Sequence, residues 1–503
     1  MPATMPQPEG EGARRRVAVI GAGPAGLTAA YLLCKERIPV TVLEADPQLV
    51  GGIARTKSWK GYHFDIGGHR FFSKSKEVED LWTELLPNDL LERPRSSRIY
   101  YRGKFFSYPL RAGEALVKLG FVESALCILS YLRAHLFPVR DPKNVEDWVS
   151  NQFGKRLFRI FFKTYTEKVW GMSCKEISAD WAAQRIKGLS LGSAMLNALL
   201  PRRKGSRTIK TLIDSFRYPR KGPGMMWDAC AARVREMGGE IRMGEKVVGC
   251  AWDERARLWT VTHVDAQGVR RTLSAEHVIS SAPLRELARG LQPSLSAEAL
   301  NAAGRLKYRD FLTVVLILED KNIFDDNWIY IHDPSVHVGR VQNFKSWSPE
   351  MVPDPSMACY GLEYFCYEGD GLWTARDADL VELGKKELEQ IGLVKASEVL
   401  DGCVVRQSKA YPVYDEGYAE NVEKVRGEIE SRYPGLHLVG RNGMHKYNNQ
   451  DHAMMTAMLC VKNIVAGQPL YDVWRVNQDA EYQEAGERSA QSGLRDVPRR
   501  LNS

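Results

Sequence analysis

The first ninety residues alternate apolar runs with short turns in the order strand, turn, helix, strand. Residues 17–20 (VAVI) form an apolar run of strand length, and GAGPAG follows directly. The apolar stretch from Leu27 to about Lys35 predicts a helix, and PVTVLEA predicts a second strand that ends with Glu44. This order is typical of a nucleotide-binding α/β unit built on a parallel sheet.

Three glycines occupy the turn in a G-x-G-x-x-G register. Gly21 permits the tight turn, Gly23 lets the backbone approach a pyrophosphate, and Gly26 lets the helix pack closely on the sheet. The helix N-terminus would then face the phosphates, and Glu44 would hold a pair of ribose hydroxyls. The pattern predicts a dinucleotide site; the alternative is a glycine-rich turn in an ordinary α/β domain.

Later patterns predict further strands and an inserted helical region. Residues 238–282 alternate short strands and turns, residues 110–200 are rich in helix patterns, and residues 306–410 are rich in strand patterns. The charged and polar tail after about residue 475 predicts a mobile segment.

The C-terminal part predicts a return to the nucleotide domain. Residues 436–440 (LHLVG) predict a buried strand, residues 441–443 a turn, and HAMMTAMLCVKNI a helix that begins near Asp451. The nucleotide domain is therefore expected to be discontinuous, assembled from three stretches of the chain.

One long apolar stretch runs from Ala115 to Phe137. Lys118, Glu123 and Arg133 interrupt it, whereas a spanning helix needs about 20 largely uncharged residues. We expect a helix packed inside a domain, with a helix lying on a membrane face as the less favoured alternative. No integral membrane segment is expected.

Composition narrows the class of protein. The chain has 503 residues, 44% apolar and 26% charged, which excludes a mostly disordered chain, a collagen-like fibre and a polytopic membrane protein. The formal charge of +8 (70 Lys and Arg minus 62 Asp and Glu) permits phosphate-bearing partners without requiring nucleic-acid binding. Nine dispersed cysteines without a CxxC pair indicate reduced thiols in the cytoplasm, and no metal-binding motif is present.

A second glycine motif, GGIAR, follows the second predicted strand. Its Gly51, Gly52 and Arg55 resemble the motif with which FAD enzymes of the amine oxidase and glutathione reductase superfamily meet the pyrophosphate. An arginine beside bare backbone is a suitable anion clamp, although a loop with a solvated arginine is the alternative. The resemblance implies FAD as cofactor, and a residue near Val247 that meets the adenine.

From about Arg16 to Gly467 the chain also resembles the UDP-galactopyranose mutases. The matching motifs, in the family's order, are GGHRFFSK (67–74), YRGKFFSYPL (101–110), YTEKVWG (165–171), LKYRDF (306–311), KAYPVYD (409–415) and GRNGMHKYNNQD (440–451). The resemblance implies an α/β fold in which a discontinuous Rossmann-type FAD-binding domain carries an inserted helical domain and an antiparallel-sheet substrate domain. The expected limits are 14–100, 210–290 and 411–474 for the FAD-binding domain, 101–209 for the helical domain, 291–410 for the sheet domain and 475–503 for the tail.

The resemblance also implies roles for individual residues. His69 would lie at the flavin, Tyr165 would stack on uracil and Trp170 would line the pocket, while Arg309 and Tyr411 would hold the substrate diphosphate. Arg185 and Tyr447 complete the implied substrate set. The implied flavin contacts are Gly21, Gly23, Gly26, Glu44, Gly51, Gly52, Arg55, Val247, Gly440, Arg441 and Asp451.

In that family reduced FAD interconverts pyranose and furanose forms of a nucleotide-linked sugar, with His69 and Arg309 as the implied catalytic residues here. The sequence departs from the family at Leu189, where a second arginine is usual, and at Asn449-Gln450-Asp451. The second hypothesis is therefore an FAD-dependent oxidoreductase of the amine oxidase or protoporphyrinogen oxidase type. A third is a flavin-bound scaffold or membrane-associated partner without turnover. A homo-oligomer is compatible with all three.

A basic run has no counterpart in the family pattern. Eight bases against one acid fall within residues 202–221, and they indicate a solvated face or, alternatively, a mobile lid over a phosphorylated substrate. The bases are Arg202, Arg203, Lys204, Arg207, Lys210, Arg217, Arg220 and Lys221.

Overall fold

A five-stranded parallel sheet carries the glycine motif, in a computed structural model that describes residues 16–108, 110–179, 215–477 and 500–501. All neighbouring strands of this central sheet run parallel. Most of their residues are buried, as expected for a sheet covered on both faces. The strands come from three stretches of the chain, in the spatial order Leu436–Leu438, His277–Ser280, Val17–Ile20, Val40–Glu44 and Glu240–Met243. The predicted discontinuous Rossmann-type fold is confirmed.

Helices cover the central sheet and form its core. The first helix begins at Pro24, three residues before the predicted start, because Gly23 caps it and proline suits the first helical turn. Gln450–Ala466, predicted to begin near Asp451, is buried on almost all sides and packs against the first helix. The covering helices are Pro24–Lys35, Lys76–Leu85, Gly224–Glu236 and Gln450–Ala466.

The predicted meander divides between two sheets. Its first and last strands join the central sheet, and the middle three form an antiparallel sheet to which a two-residue strand is added. Three helices share a core with this sheet. The strands are Lys246–Asp253, Leu258–Val264, Arg270–Ala275 and Leu291–Gln292, and the helices are Leu284–Arg289, Ala297–Arg305 and Tyr418–Arg432.

A seven-stranded sheet forms the predicted antiparallel substrate region. It is antiparallel except where Trp328–Ile331 meets Ser97–Tyr101, and Asp377–Gln390 packs on one face. In spatial order its strands are Val399–Pro412, Tyr308–Glu319, Met357–Cys366, Arg340–Asn343, Trp328–Ile331, Ser97–Tyr101 and Lys104–Ser107, with short helices Phe344–Trp347 and Gly371–Thr374 beside it. The residue limits of the domains stay a prediction.

The apolar stretch 115–137 differs from its prediction of one packed helix. It forms two helices, because Gly120 adopts a φ of 88° that ends the first. Many of its apolar side chains are exposed rather than packed inside a domain. The helical region comprises Ala112–Leu119, Phe121–Leu136, Val145–Phe153, Lys155–Phe158, the π-helical turn Arg159–Lys163 and Thr164–Trp170.

Smaller elements complete the described chain. The predicted turn at residues 441–443 is part of a one-turn helix, Gly440–Gly443. Two two-stranded antiparallel sheets pair Thr56–Trp59 with Tyr62–Asp65 and Leu90–Pro94 with Ser215–Pro219. Short 3-10 turns lie at Gly52–Ala54, Pro349–Met351, Ala396–Glu398 and Val473–Arg475.

Several sequence predictions fall outside the described residues. These are Arg185, Leu189, the first five bases of the basic run and nearly all of the tail 475–503. Among the helices that are described, none combines the length and the apolar character needed to cross a membrane. Within the same ranges, His, Cys, Asp and Glu side chains form no group of three or more able to hold a metal ion.

Candidate functional site

The two glycine motifs lie directly against each other. A side chain on Gly52 would place its Cβ 3.2 Å from the Cα of Gly23, so bare backbone lines both walls. Gly51 and Gly52 have φ values of 95° and 55°, and the Gly51 amide donates to the carbonyl of Ala22 at 2.8 Å. We call this arrangement the glycine cleft. Main chain without side chains suits a group that must approach it closely, such as a pyrophosphate.

The glycines of the first motif also allow the helix Pro24–Lys35 to pack closely against the turn that precedes it. Gly21 has a φ of 93°, a left-handed conformation that a larger residue adopts at a cost. A Cβ on Gly26 would lie 1.8 Å from the Gly21 carbonyl oxygen, so only glycine allows the helix to approach the turn. Gly440, with a φ of 79°, packs against the same helix, where a Cβ would lie 3.1 Å from that of Ala25.

Charged side chains border the glycine cleft. Glu44 accepts hydrogen bonds from the amides of Ala22 at 2.6 Å and Asp46 at 2.8 Å, and burial raises its pKa. Arg55 donates to the Gly52 carbonyl at 3.1 Å, and its Nη1 lies 3.8 Å from Asp46. Burial lowers the pKa of Arg55, whereas Asp46 and Glu44 oppose that shift. Its buried Nε has no hydrogen-bond partner among the described residues, which leaves a donor for a bound anion.

Val247 and Asp451, both predicted flavin contacts, lie in different elements of the fold. Val247 is half-buried at an irregularity of the strand Lys246–Asp253. Asp451 is buried in the first turn of the helix Gln450–Ala466. Burial raises the pKa of Asp451 to about 7, and hydrogen bonds from backbone amides only partly offset this. A carboxyl with this pKa changes charge near neutral pH.

The four aromatic residues predicted to bind substrate lie in two groups of ring contacts, and Tyr330 and Tyr447 pack against the hydrophobic core that contains Trp170 and Tyr411. The rings of Tyr411 and Tyr447 stack at 5.3 Å and 15°, and Trp170 meets Tyr447 at 6.2 Å. Tyr165 stacks on His332 at 5.1 Å and meets Tyr330 edge-on at 5.1 Å. We call these six residues, together with Arg340 and Arg441, the aromatic chamber. Burial raises the pKa of Tyr165 and Tyr411, so both hydroxyls stay protonated and can donate.

His69 lies beside this chamber. A Cβ on Gly67 would contact both the His69 ring at 3.6 Å and the Tyr411 hydroxyl at 4.0 Å. Burial, reinforced by the positive charge of Arg441, lowers the pKa of His69 to about 3. The neutral ring has Nδ1 3.0 Å from the Gly67 carbonyl, which can only accept. We therefore assign the proton to Nδ1, which leaves Nε2 as an acceptor.

Two arginines, Arg340 and Arg441, lie among the aromatic side chains of the chamber. Arg441 lies 5.3 Å from the ring centre of Tyr411 and 5.1 Å from that of Tyr447, held by bonds to the carbonyls of Asn448 and Ala410. Desolvation would lower the pKa of Arg340, but Glu363 and neighbouring tyrosines hold it well above its ordinary value. Nη2 of Arg340 lies 2.6 Å from Glu363, so this carboxylate offsets the charge of Arg340, whereas Arg441 is held by main-chain carbonyls.

Arg309 occupies a different place from the one expected of a diphosphate ligand. Its Nε donates to the Val169 carbonyl at 3.0 Å, and its Nη2 to the carbonyls of Lys168 at 3.3 Å and Phe365 at 2.9 Å. The guanidinium also lies 4.1 Å from the ring centre of Tyr367. Arg309 thus holds the segment that carries Trp170, and its role toward a substrate stays a prediction.

Sequence reasoning missed Arg340, Glu363, Tyr330 and His332. Arg340 and Glu363 pair across adjacent strands, and Glu363 also accepts from Gln342 at 2.6 Å. The available signal was the single acid within the apolar strand MACYGLEYFC, because a buried carboxylate requires a partner. The partner itself depends on strand register.

Comparisons with known proteins identify the family of the chain. The family model for flavin-containing amine oxidoreductases matches residues 24–447. Protoporphyrinogen oxidase 2 of Arabidopsis thaliana is 38% identical over 476 residues, which cover 85% of this chain and 90% of that protein. A dTDP-fucopyranose mutase of Escherichia coli is 25% identical over 182 residues, or 33% of this chain and 44% of that one.

A crystal structure of reduced UDP-galactopyranose mutase superposes with a TM-score of 0.79. It is 20% identical and covers 93% of this chain and 99% of its own, so it shows the shared fold. The glycine cleft, the buried donor on Arg55 and the family match together lead to one conclusion: the chain belongs to the flavin-containing amine oxidoreductase family and is a FAD-dependent enzyme.

Proposed function

We propose that the protein is a mutase that interconverts the pyranose and furanose forms of a nucleotide-linked sugar. The observation that carries the proposal is the aromatic chamber, in which stacked tyrosines and two guanidinium groups lie beside His69. Such a chamber suits a ligand with a flat base and a doubly charged diphosphate. The similarity in fold to a UDP-galactopyranose mutase supports the same substrate class.

The base and the diphosphate would occupy different parts of the chamber. One face of the Tyr165 ring packs on His332, so a base would stack on the opposite face. Arg340 and Arg441 supply charged donors, and the protonated Tyr411 hydroxyl supplies a neutral one. Because all three are oriented by existing contacts, they would bind the diphosphate and stabilise it as a leaving group without reorganisation.

The glycine cleft would hold FAD, which in its reduced form would supply the bond-making chemistry at the sugar carbon. His69 would accept a hydrogen bond at Nε2, and the buried rings around it would exclude water from the sugar. Arg309 would act as a positioning residue for Trp170 rather than as a phosphate ligand. Its assignment as a catalytic residue, like that of His69, rests on the resemblance.

The test is conversion by the reduced enzyme. Protein reduced with dithionite under anaerobic conditions is incubated with UDP-galactopyranose and dTDP-fucopyranose, and the products are separated by chromatography. A furanose peak that requires reduction supports the proposal. Absence of a new peak with every nucleotide sugar, in protein that retains its flavin, contradicts it.

A second function, oxidation of a small substrate, is favoured by one observation. The Arg309 guanidinium is bound by main-chain carbonyls, so a residue expected to hold a diphosphate is directed elsewhere. The identity to a plant protoporphyrinogen oxidase over most of the chain is consistent with this alternative. An oxidase substrate, tested with protoporphyrinogen, would bleach the flavin absorbance, and oxygen would restore it.

The proposed enzyme would work in the cytoplasm. All nine cysteines are free thiols, and eight of them are buried. Unpaired thiols are typical of a reducing compartment. A homo-oligomer, by contrast, stays a prediction that sedimentation would test.

A further inference from the structure

Exposed apolar side chains are concentrated on the helix pair Ala112–Leu119 and Phe121–Leu136. Single exposed apolar residues are ordinary, but a cluster of them marks an interaction surface. Of sixteen large apolar side chains that are exposed in the described chain, nine fall between residues 117 and 139. We call these nine the apolar face: Val117, Phe121, Val122, Leu126, Leu129, Leu132, Leu136, Phe137 and Val139.

The apolar face follows helical geometry. At 100° per residue, the six members within Phe121–Leu136 fall inside an arc of about 140°. The opposite side packs on the protein, where Cys127 is buried and Glu123 pairs with Arg156. The helix thus turns its apolar stripe toward solvent, the reverse of a helix on a globular core. Leu129 is 62% exposed, Phe137 78% and Phe121 90%.

A basic groove borders the apolar face. It has a volume of about 990 Å³ and runs from the helix toward the turn after Tyr101 and the segment around Lys155. Seven bases and one acid, Glu123, line it, and this acid already bonds Arg156. The bases are Arg102, Lys104, Lys118, Arg133, Lys155, Arg156 and Arg159. Three of these bases already pair with an acid, Lys118 with Glu114, Lys155 with Glu146 and Arg156 with Glu123. The other four have no ion-pair partner among the described residues, and apolar side chains beside four such bases fit a partner that is apolar inside and anionic outside.

We propose that the apolar face docks the protein on an anionic lipid bilayer. The leucines and phenylalanines would enter the boundary between headgroups and acyl chains, while the neighbouring bases contact lipid phosphates. The helix Phe121–Leu136 has 16 residues, about 24 Å at 1.5 Å per residue, which is shorter than a bilayer core of about 30 Å. It would therefore lie in the plane of the surface.

Charge favours an anionic bilayer over a second copy of the chain as the partner of the apolar face. A twofold contact through the apolar face would bring the basic groove of each copy toward the other, and like charges would oppose association. An anionic surface instead gains an interaction from each exposed base. Among the described residues, Arg133 and Arg159 form no ion pair within the protein that would compete for them.

The experiment is co-sedimentation of the full-length FAD-loaded protein with vesicles. One set contains phosphatidylcholine alone, and the other contains phosphatidylcholine with one quarter phosphatidylglycerol. The variant Leu129→Glu with Leu136→Glu removes apolar contact, and Arg133→Glu with Arg159→Glu removes charge. Leu400→Glu is the matched control, because Leu400 is 61% exposed and lies in another part of the chain.

We expect binding to the anionic vesicles that weakens with added salt and is at least ten-fold weaker on phosphatidylcholine. Each double variant should reduce the partition coefficient at least ten-fold, whereas Leu400→Glu should leave it unchanged. Unaltered flavin content and melting temperature show that the variants fold. Absence of binding to anionic vesicles overturns the proposal. So does equal loss with Leu400→Glu, or a dimer in light scattering that Leu129→Glu with Leu136→Glu dissociates without any lipid binding.

Discussion

The glycine cleft and the aromatic chamber are built by different means. The cleft uses main-chain shape, with Gly23 and Gly52 approaching each other and Gly26 touching the turn before it. Its glycines lie within 32 residues of one another along the chain (from 21 to 52). The chamber instead collects side chains from five distant regions, from Tyr165 to Tyr447. Main-chain sites can be recognised in a sequence, whereas convergent side-chain sites depend on strand register.

The two regions also differ electrostatically. The cleft places two acids, Glu44 and Asp46, near one arginine, Arg55, so groups of opposite charge interact there before a ligand arrives. In the chamber only Arg340 has a carboxylate partner, Glu363, while Arg441 is held by carbonyls and aromatic rings. Substitutions should therefore damage cofactor retention and substrate binding separately.

The largest effect is expected from Gly26→Ala. Its methyl group would lie 1.8 Å from the Gly21 carbonyl oxygen, and relief requires displacement of the helix or the turn. We expect a loss of about 3 kcal/mol in the free energy of unfolding and of most bound FAD. Denaturant titration and flavin absorbance per chain measure both.

The matched control is Gly304→Ala, at a helical glycine where a Cβ meets nothing within 4 Å. This control should raise the free energy of unfolding by about 0.5 kcal/mol. Full flavin content in Gly26→Ala would show that close main-chain approach does not create the cofactor site.

A smaller loss is expected from Arg340→Met. The change leaves Glu363, which is fully buried, with Gln342 as its remaining side-chain hydrogen-bond donor among the described residues. Since the arginine side chain is 15% exposed, we expect a loss of about 2 kcal/mol in stability. Flavin content should remain normal, and KM for a nucleotide sugar should rise at least ten-fold.

Adding Glu363→Gln to Arg340→Met should restore most of the stability but not KM, since the unpaired buried charge is removed while the phosphate ligand stays absent. A variant that loses flavin together with substrate affinity would refute the separation of the two regions.

The third prediction concerns Asp451 and pH. Its folded pKa of about 7 exceeds the unfolded value of about 3.9, so the folded state retains a proton that the unfolded chain has released. Stability should therefore fall as pH rises from about 4 to about 7, by about 1 kcal/mol after allowance for relaxation of the buried site. Thermal unfolding at pH 5 and pH 8 measures the slope.

Asp451→Asn should flatten that slope, whereas Asp379→Asn, at an exposed aspartate, should keep it. Identical slopes in wild type and Asp451→Asn would contradict the raised pKa.

The smallest effect of pH is expected on the protonation of His69. Burial and Arg441 lower its pKa to about 3, so the ring should remain neutral at every pH above about 5. Burial also lowers the pKa of His332, His437 and His445, so NMR of histidine-labelled protein should show several resonances that do not move between pH 5 and pH 8, and His69 should give one of them. The spectrum of His69→Gln assigns that resonance, and a signal that titrates near pH 6.5 and vanishes in this variant would exclude the neutral-ring assignment.

The fold was largely predictable because its signals are local. The strand–glycine–helix order, the later meander and the C-terminal strand each follow from nearby residues, and the central sheet joins them as expected. The exposure of the helix pair Ala112–Leu119 and Phe121–Leu136 was not predictable. An apolar pattern indicates an amphipathic helix, but it does not tell whether the apolar side faces protein or solvent.

By itself the sequence determined the glycine cleft and the membership of a flavoenzyme fold, since glycine positions and apolar periodicity act on the main chain near where they occur. Only the tertiary structure decided that Arg309 serves main-chain carbonyls and that Arg340 pairs with Glu363 in the chamber. Those outcomes depend on which strands become neighbours and in which register, and a one-residue shift would reverse the face of every side chain.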